Sequence, residues 1–165
     1  MLHIEHLHLT LPSGSYEQMA KLYEGVVFKS NTPGTSNPSP PPIGEVWPGQ
    51  GGVYVGLERA RGDVPLSHLI VSERDPGKDL IWQAGLDWAA DLVDEGHSDF
   101  MLPDKGQGAL LYANVPELFD KSKLYWLRTQ FSEYLAFCQG FYTGYQYHDA
   151  KEASLSVRAV RRLIA

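Results

Sequence analysis

One cysteine, Cys138, precedes His148 in the same aromatic-rich stretch. A thiol within reach of an imidazole can be deprotonated into a nucleophile, so this pair is the first candidate for covalent chemistry. A lone cysteine among aromatic residues more often fills space as a small apolar side chain, and that reading is preferred. His6 and His8 share one face of an alternating segment, where two imidazoles could hold one metal ion; His3 falls on the opposite face. Two ligands are too few for a tight structural site, so no metal, no other cofactor and no catalytic residue are expected. Arg61-Gly62-Asp63 could serve adhesion, but its turn-forming composition fits a hairpin tip.

The strongest chemical signal is aromatic. Nine aromatic residues lie between Tyr125 and Tyr147, in a chain that holds 4 Trp, 9 Tyr and 6 Phe altogether. A strand half-buried in a core shows one apolar face and one polar face. Here Phe141 adjoins Tyr142, Phe137 adjoins Cys138, and Gly140 and Gly144 interrupt. Both faces therefore carry aromatic side chains, and some must point outward. Exposed Tyr among Ser, Thr and Gly offers large contact area at low entropic cost, as in antibody combining sites. Tyr134, Phe137, Tyr142, Tyr145 and Tyr147 are the expected anchors. The competing reading makes the whole window core or oligomer contact.

The elements that must carry this window follow from periodicity and punctuation. Leu7, Leu9 and Leu11 alternate with polar residues, and Met19, Leu22, Tyr23 and Val26 fall at helical spacing, so residues 1–29 read as a strand-helix arm. Residues 30–50 are a Pro-rich connector, because Pro40, Pro41 and Pro42 suit neither a central strand nor a helix interior. Residues 51–165 form the main domain. Val53–Val55 and His68–Val71 read as strands joined by a hairpin loop. Ile81, Trp82, Leu86, Trp88, Ala89, Leu92 and Val93 give a helix over 79–95, with Asp79 as N-cap and Gly96 as stop. A second helix is expected over about 106–114, burying Ala109, Leu110 and Leu111, and a terminal strand over 157–163. Trp82, Trp88 and Trp126 are expected to be largely buried.

Composition narrows the function. The chain has 165 residues, long enough for one core without a disulfide or metal staple. A net charge of −6 opposes non-specific nucleic-acid binding. A single cysteine excludes an intrachain disulfide. No run of about 18 apolar residues exists, so membrane insertion is not expected. The N-terminus has no basic region and is a poor signal peptide, which points to cytoplasmic synthesis and leaves virion association open.

Two groups of motifs carry a resemblance. The first is Gly96-His97-Ser98-Asp99-Phe100-Met101-Leu102-Pro103 followed by Ala109-Leu110-Leu111-Tyr112-Ala113-Asn114. The second is Tyr125-Trp126, Thr129-Gln130, Gly144, and Val157-Arg158-Ala159-Val160-Arg161-Arg162. Together they make residues 45–165 similar to the C-terminal domain of the Legionella collagen-like adhesin and its phage-borne relatives. That family has the formylglycine-generating-enzyme type of C-type lectin fold. The resemblance implies an α+β C-type-lectin-like domain of two helices and a twisted antiparallel sheet; the strand-helix arm read from periodicity would precede it, outside the residues that the resemblance covers. Asp99 could cap the second helix, and the terminal arginines would lie outward or pair with acidic residues. The family usually has Trp-Arg at Phe100-Met101 and often Glu at Gln107, so no role resting on that ion pair is carried over. The oxidase branch uses two reactive cysteines, and calcium-dependent lectins use Glu-Pro-Asn or Gln-Pro-Asp loops; neither pattern occurs here.

The resemblance also implies a way of using the window. The family includes targets of diversity-generating retroelements, which randomise adenines mostly in Asn codons. Such codons cannot become Trp, Gln, Met, Lys or Glu, so Trp126, Gln130, Glu133, Gln139, Gln146, Lys151 and Glu152 would be fixed framework. The variable, ligand-binding set would be Leu127, Arg128, Phe131, Tyr134, Leu135, Phe137, Cys138, Tyr142, Thr143, Tyr145, Tyr147 and His148. The expected function is non-catalytic recognition of a protein or glycan on a cell or virion surface, by a phage-associated variable receptor-binding protein. The alternative is a phage structural or assembly protein whose aromatic face packs on a virion partner; a degenerate oxidase-branch enzyme is the third reading. A homo-oligomer is compatible with any of them.

Overall fold

The computed structural model describes residues 39–165. The strand-helix arm expected over 1–29, its histidines and the first part of the connector lie outside the described residues. The fold is α+β. A four-stranded antiparallel sheet has the order β1 (Val46–Trp47), β2 (Gly52–Glu58), β3 (Ser67–Val71), β7 (Val160–Ile164). A second antiparallel sheet has the order β4 (Leu124–Gln130), β5 (Leu135–Gly140), β6 (Gln146–Ala150). Two helices, α1 (Trp82–Asp91) and α2 (Lys105–Asn114), lie between the sheets in the chain order. Among the described residues no helix is long and apolar enough to cross a membrane.

Pairing explains why β2 and β3 are nearly all apolar. Val53, Val55, Leu69 and Val71 point to one face and pack with Leu111, Val115, Phe119, Tyr125 and Phe141. Tyr54 and Ile70 point to the other face and pack with Trp47. With both faces covered, strict polar alternation is not required. The register shifts between Tyr54 and Gly56, and Gly56 takes a φ of 133° at that bulge. A side chain there would meet the Asn114 amide at 2.9 Å, which donates to the Val55 carbonyl. β1 begins inside the stretch expected to be connector, and Trp47 in it is buried. Pro40, Pro41 and Pro42 precede β1, the first strand among the described residues.

Both helices differ from their expected limits for local reasons. α1 starts at Trp82, because Leu80 is drawn into a bridge with Leu155. Asp79 does not cap it; its carboxylate accepts the Ser156 hydroxyl at 2.6 Å. The helix ends at Asp91, and Gly96 belongs to the later turn bridging Asp94 and His97, where Glu95 and Gly96 have φ of 46° and 82°. α2 is capped by Asp104, not Asp99: Asp104 accepts the Gln107 N–H while the Gln107 side chain accepts the Asp104 N–H. Ala109 is exposed; Gln107, Gly108 and Leu111 take the buried face.

A second core joins α1 to the β4–β5–β6 sheet through Trp82, Ala89, Phe100, Leu102, Trp126, Ala136, Cys138, Val157 and Ala159. Trp126 is fully buried and its indole N–H donates to the Leu80 carbonyl at 2.9 Å. Trp82 donates likewise to the Leu127 carbonyl at 2.8 Å. Trp88 is only partly buried, at the margin of this cluster. The Trp126→Ala variant should therefore lose roughly 3–5 kcal/mol in urea unfolding. A loss below about 1 kcal/mol would contradict this packing.

Candidate functional site

The aromatic window folds into the β4–β5–β6 sheet, and its ladder sorts the side chains. Directly paired residues of an antiparallel sheet lie on the same face. Phe137 pairs with His148 and Gln139 with Gln146, so these four share one face. Cys138 pairs with Tyr147 and Ala136 with Asp149, on the opposite face. Cys138 and His148 are thus held apart by the pleat. Burial, and then the nearby Asp149 carboxylate, push the Cys138 thiol up to about 11, so it stays protonated near neutral pH.

The twelve expected ligand-binding residues do not all reach solvent. Leu127 and Cys138 are corrected out of the set: both are completely enclosed, Cys138 in the core shared with Trp82 and Trp126, and Leu127 against Gly108 of α2. Arg128, Leu135 and Phe137 are half-buried. Phe131, Tyr134, Tyr142, Tyr145 and Tyr147 are exposed, from 48% at Tyr147 to 77% at Tyr142, and Thr143 and His148 are exposed with them. The other aromatic residues of the window, Tyr125, Trp126 and Phe141, are core. The window is therefore divided residue by residue between scaffold and surface.

The exposed residues form two patches. On one face Phe131 stacks on His148 with centroids 4.3 Å apart, and meets Phe137 edge-on at 5.4 Å. The Lys105 ammonium stands 3.8 Å over the Phe137 ring. On the other face Tyr145 and Tyr147 lie 6.3 Å apart. Tyr142 and Thr143 occupy the β5–β6 turn, which Gly144 closes with a φ of 76°. A side chain at Gly144 would strike the Tyr112 ring, so this turn is seated directly on α2. None of the principal clefts, of about 220, 430 and 390 Å³, is lined by Phe131, Phe137 or His148.

Amide side chains fix α2 to this sheet. Buried Gln139 donates to the Gly108 carbonyl at 2.9 Å and accepts from Gln146 at 2.9 Å, and Gln146 also reaches the Lys105 carbonyl at 2.7 Å. These bonds satisfy buried polar groups and set the height of Lys105 over the aromatic rings.

On its other side α2 is tied to the four-stranded sheet by charge. Glu58, 5% exposed, accepts two bonds from Arg162 at 2.8 and 3.0 Å, one from Arg61 at 2.6 Å and one from Gln107 at 2.9 Å. Asp104 takes Arg128 at 3.0 Å and the more distant Arg61 and Arg162. Burial opposes the Glu58 charge, but the bonds from Arg162, Arg61 and Gln107 outweigh it and hold the carboxyl at about 2. Asp104 is also lowered: burial raises it, and the Gln107 N–H with Arg61 and Arg128 more than reverse that. With Arg61 committed here, the Arg-Gly-Asp tripeptide is a structured turn at which Arg61 bridges Val64. Asp99 instead pairs with buried Arg161 at 2.7 Å.

Sequence reading missed Lys105 and this network. The available signals were a glutamate closing an apolar strand and adjacent arginines in a strand that had to be buried. No family model matches the chain, and no curated protein matches it either.

A Glu58 carboxyl held near 2 in the fold, against an ordinary value of 4.5, contributes stability that is complete above pH 4.5 and lost as pH falls toward 2. The Glu58→Gln variant should lose roughly 3–5 kcal/mol at pH 7, because Arg162 and Arg61 then lose their nearest anion and keep only the more distant Asp104. Its stability should also fall less steeply between pH 4.5 and 2, because the Glu58 contribution is gone while those of Asp104 and Asp120 remain. Urea unfolding across that range checks both; equal stability and equal slope would contradict the network's role.

Proposed function

We propose that this chain is a non-catalytic recognition protein with a C-type-lectin-like domain, and that it displays a diversified aromatic surface to a ligand outside the cell that made it. The observation that carries the reading is the division of the window. Residue types that adenine randomisation of Asn codons can reach include every large exposed aromatic: Phe131, Tyr134, Tyr142, Tyr145 and Tyr147. Of the excluded types, Trp126 and Gln139 are buried. Gln146 bonds the α2 main chain, and Lys151 bonds the Glu133 carbonyl while standing 4.5 Å over Trp82. Gln130, Glu133 and Glu152 are exposed and neutral to the comparison.

The physical logic is that of a combining site. Rigid elements hold the backbone, while side chains that few neighbours depend on vary in shape and polarity. Aromatic residues with two side-chain torsions lose little entropy on contact, so each exposed tyrosine can supply binding area cheaply. The enclosed, protonated Cys138, facing away from His148, offers nothing to an oxidase or Cys-His reading. The reading places the protein among phage-associated receptor-binding proteins.

The test is genomic. A near-copy of the codons for residues 125–162 should lie beside a reverse-transcriptase gene. Mismatches should fall at template adenines and mainly on the exposed aromatic positions. The absence of such a copy, or mismatches spread over Trp126, Gln139 and Arg161, would remove diversification and leave a fixed-specificity binding or structural domain.

A further inference from the structure

We propose that the Phe131–Phe137–His148 patch takes an acidic, aromatic-bearing polypeptide segment, with Lys105 and Arg128 meeting its carboxylates. This rests on the recognition reading above and narrows its ligand class. The three rings form one apolar platform: Phe131 lies flat against His148 at an interplanar angle of 11° and edge-on to Phe137. Such a platform accepts a planar or aliphatic side chain by stacking.

The charge around the platform selects which segment can follow. The whole chain carries −6, yet the charged group that stands on this platform is the Lys105 ammonium. Lys105 stands over Phe137 and makes no ion pair among the described residues. Arg128, with its side chain 36% exposed, reaches Asp104 through one terminal nitrogen, while its Nε is enclosed and has no hydrogen-bond partner. The neighbouring anions are already taken, since Asp104 is shared by three arginines and Glu58 by two. Asp149 is on the opposite face, where its carboxylate accepts the Ala150 N–H at 2.7 Å. A carboxylate arriving at Lys105 would gain a charge-assisted bond without displacing an existing pair. A lysine-rich segment would meet Lys105 at close range with like charge.

The test uses fluorescently labelled random copolymers and the full chain. A glutamate–tyrosine copolymer should bind, and at least tenfold more tightly than polyglutamate or a lysine–tyrosine copolymer. Its affinity should fall at least tenfold between 0.05 and 0.5 M salt. Lys105→Glu and Phe137→Ser should each weaken it at least tenfold, with circular dichroism confirming that the fold is kept; Lys121→Glu, on the loop before β4, should have no effect. Equal or tighter binding of the lysine–tyrosine copolymer would overturn the acidic class and leave the recognition surface standing. Binding unchanged in Lys105→Glu or Phe137→Ser, or no binding of the glutamate–tyrosine copolymer, would overturn the inference. The genomic comparison decides the broader reading separately.

Discussion

A single buried carboxylate organises this domain. Glu58 ends β2 and gathers Arg162 from β7, Arg61 from the following hairpin and Gln107 from α2. Two strands, a turn and a helix therefore share one anion. Ions in a core are tolerated only when their partners are complete, and here two arginines and an amide complete the set. Asp104 repeats the arrangement one step outward: it caps α2 and joins Arg61, Arg128 and Arg162 to the same cluster. The start of α2 is thereby fixed relative to the four-stranded sheet.

That fixed helix end supports the surface. From it, main-chain carbonyls at Lys105 and Gly108 accept Gln146 and Gln139, which sit among the aromatic residues of the second sheet. Gly144 presses against Tyr112 from the same helix, seating the β5–β6 turn. Trp126 and Trp82 clamp the reverse side through their indole N–H groups. The exposed rings contribute little to this chain of contacts. Phe131, Tyr134, Tyr142, Tyr145 and Tyr147 rest on a backbone that other residues position.

The elements with strong local signals were legible in the sequence. The β2 and β3 strands, both helices and a terminal strand follow from periodicity and turn residues, although α2 buries Gln107, Gly108 and Leu111 where Ala109, Leu110 and Leu111 were expected, and the terminal strand runs over Val160–Ile164 where 157–163 was expected. Helix ends were misplaced where long-range contacts overrode local caps. Leu80 joined Leu155 in a bridge, Asp79 answered Ser156, and Asp99 turned to Arg161. The aromatic window announced outward-facing rings, and five of its nine are exposed, while Tyr125, Trp126 and Phe141 are core. Composition could not say which members face inward: Leu127 and Cys138 carry no mark distinguishing them from Leu135 or Thr143, and what packs over each position decides, since Cys138 is enclosed while Tyr147, its pair on the same face, is exposed. Lys105 was invisible to the window because it arrives from α2, through contacts that span the fold.

The central claim is that scaffold and surface are energetically separate, and one comparison tests it directly. Urea unfolding can be measured for a variant in which Phe131, Tyr134, Tyr142, Tyr145 and Tyr147 are all serine, beside the single variant Gln139→Ala. Exposed positions contribute little to stability, so the five-fold variant should unfold cooperatively with a loss of about 2 kcal/mol or less. Gln139→Ala alone should cost roughly 2–3 kcal/mol, because the Gly108 carbonyl and Gln146 lose their buried partner. A five-fold variant that loses cooperativity or more than about 4 kcal/mol, while Gln139→Ala is neutral, would show that the aromatic window is core and that the separation does not exist.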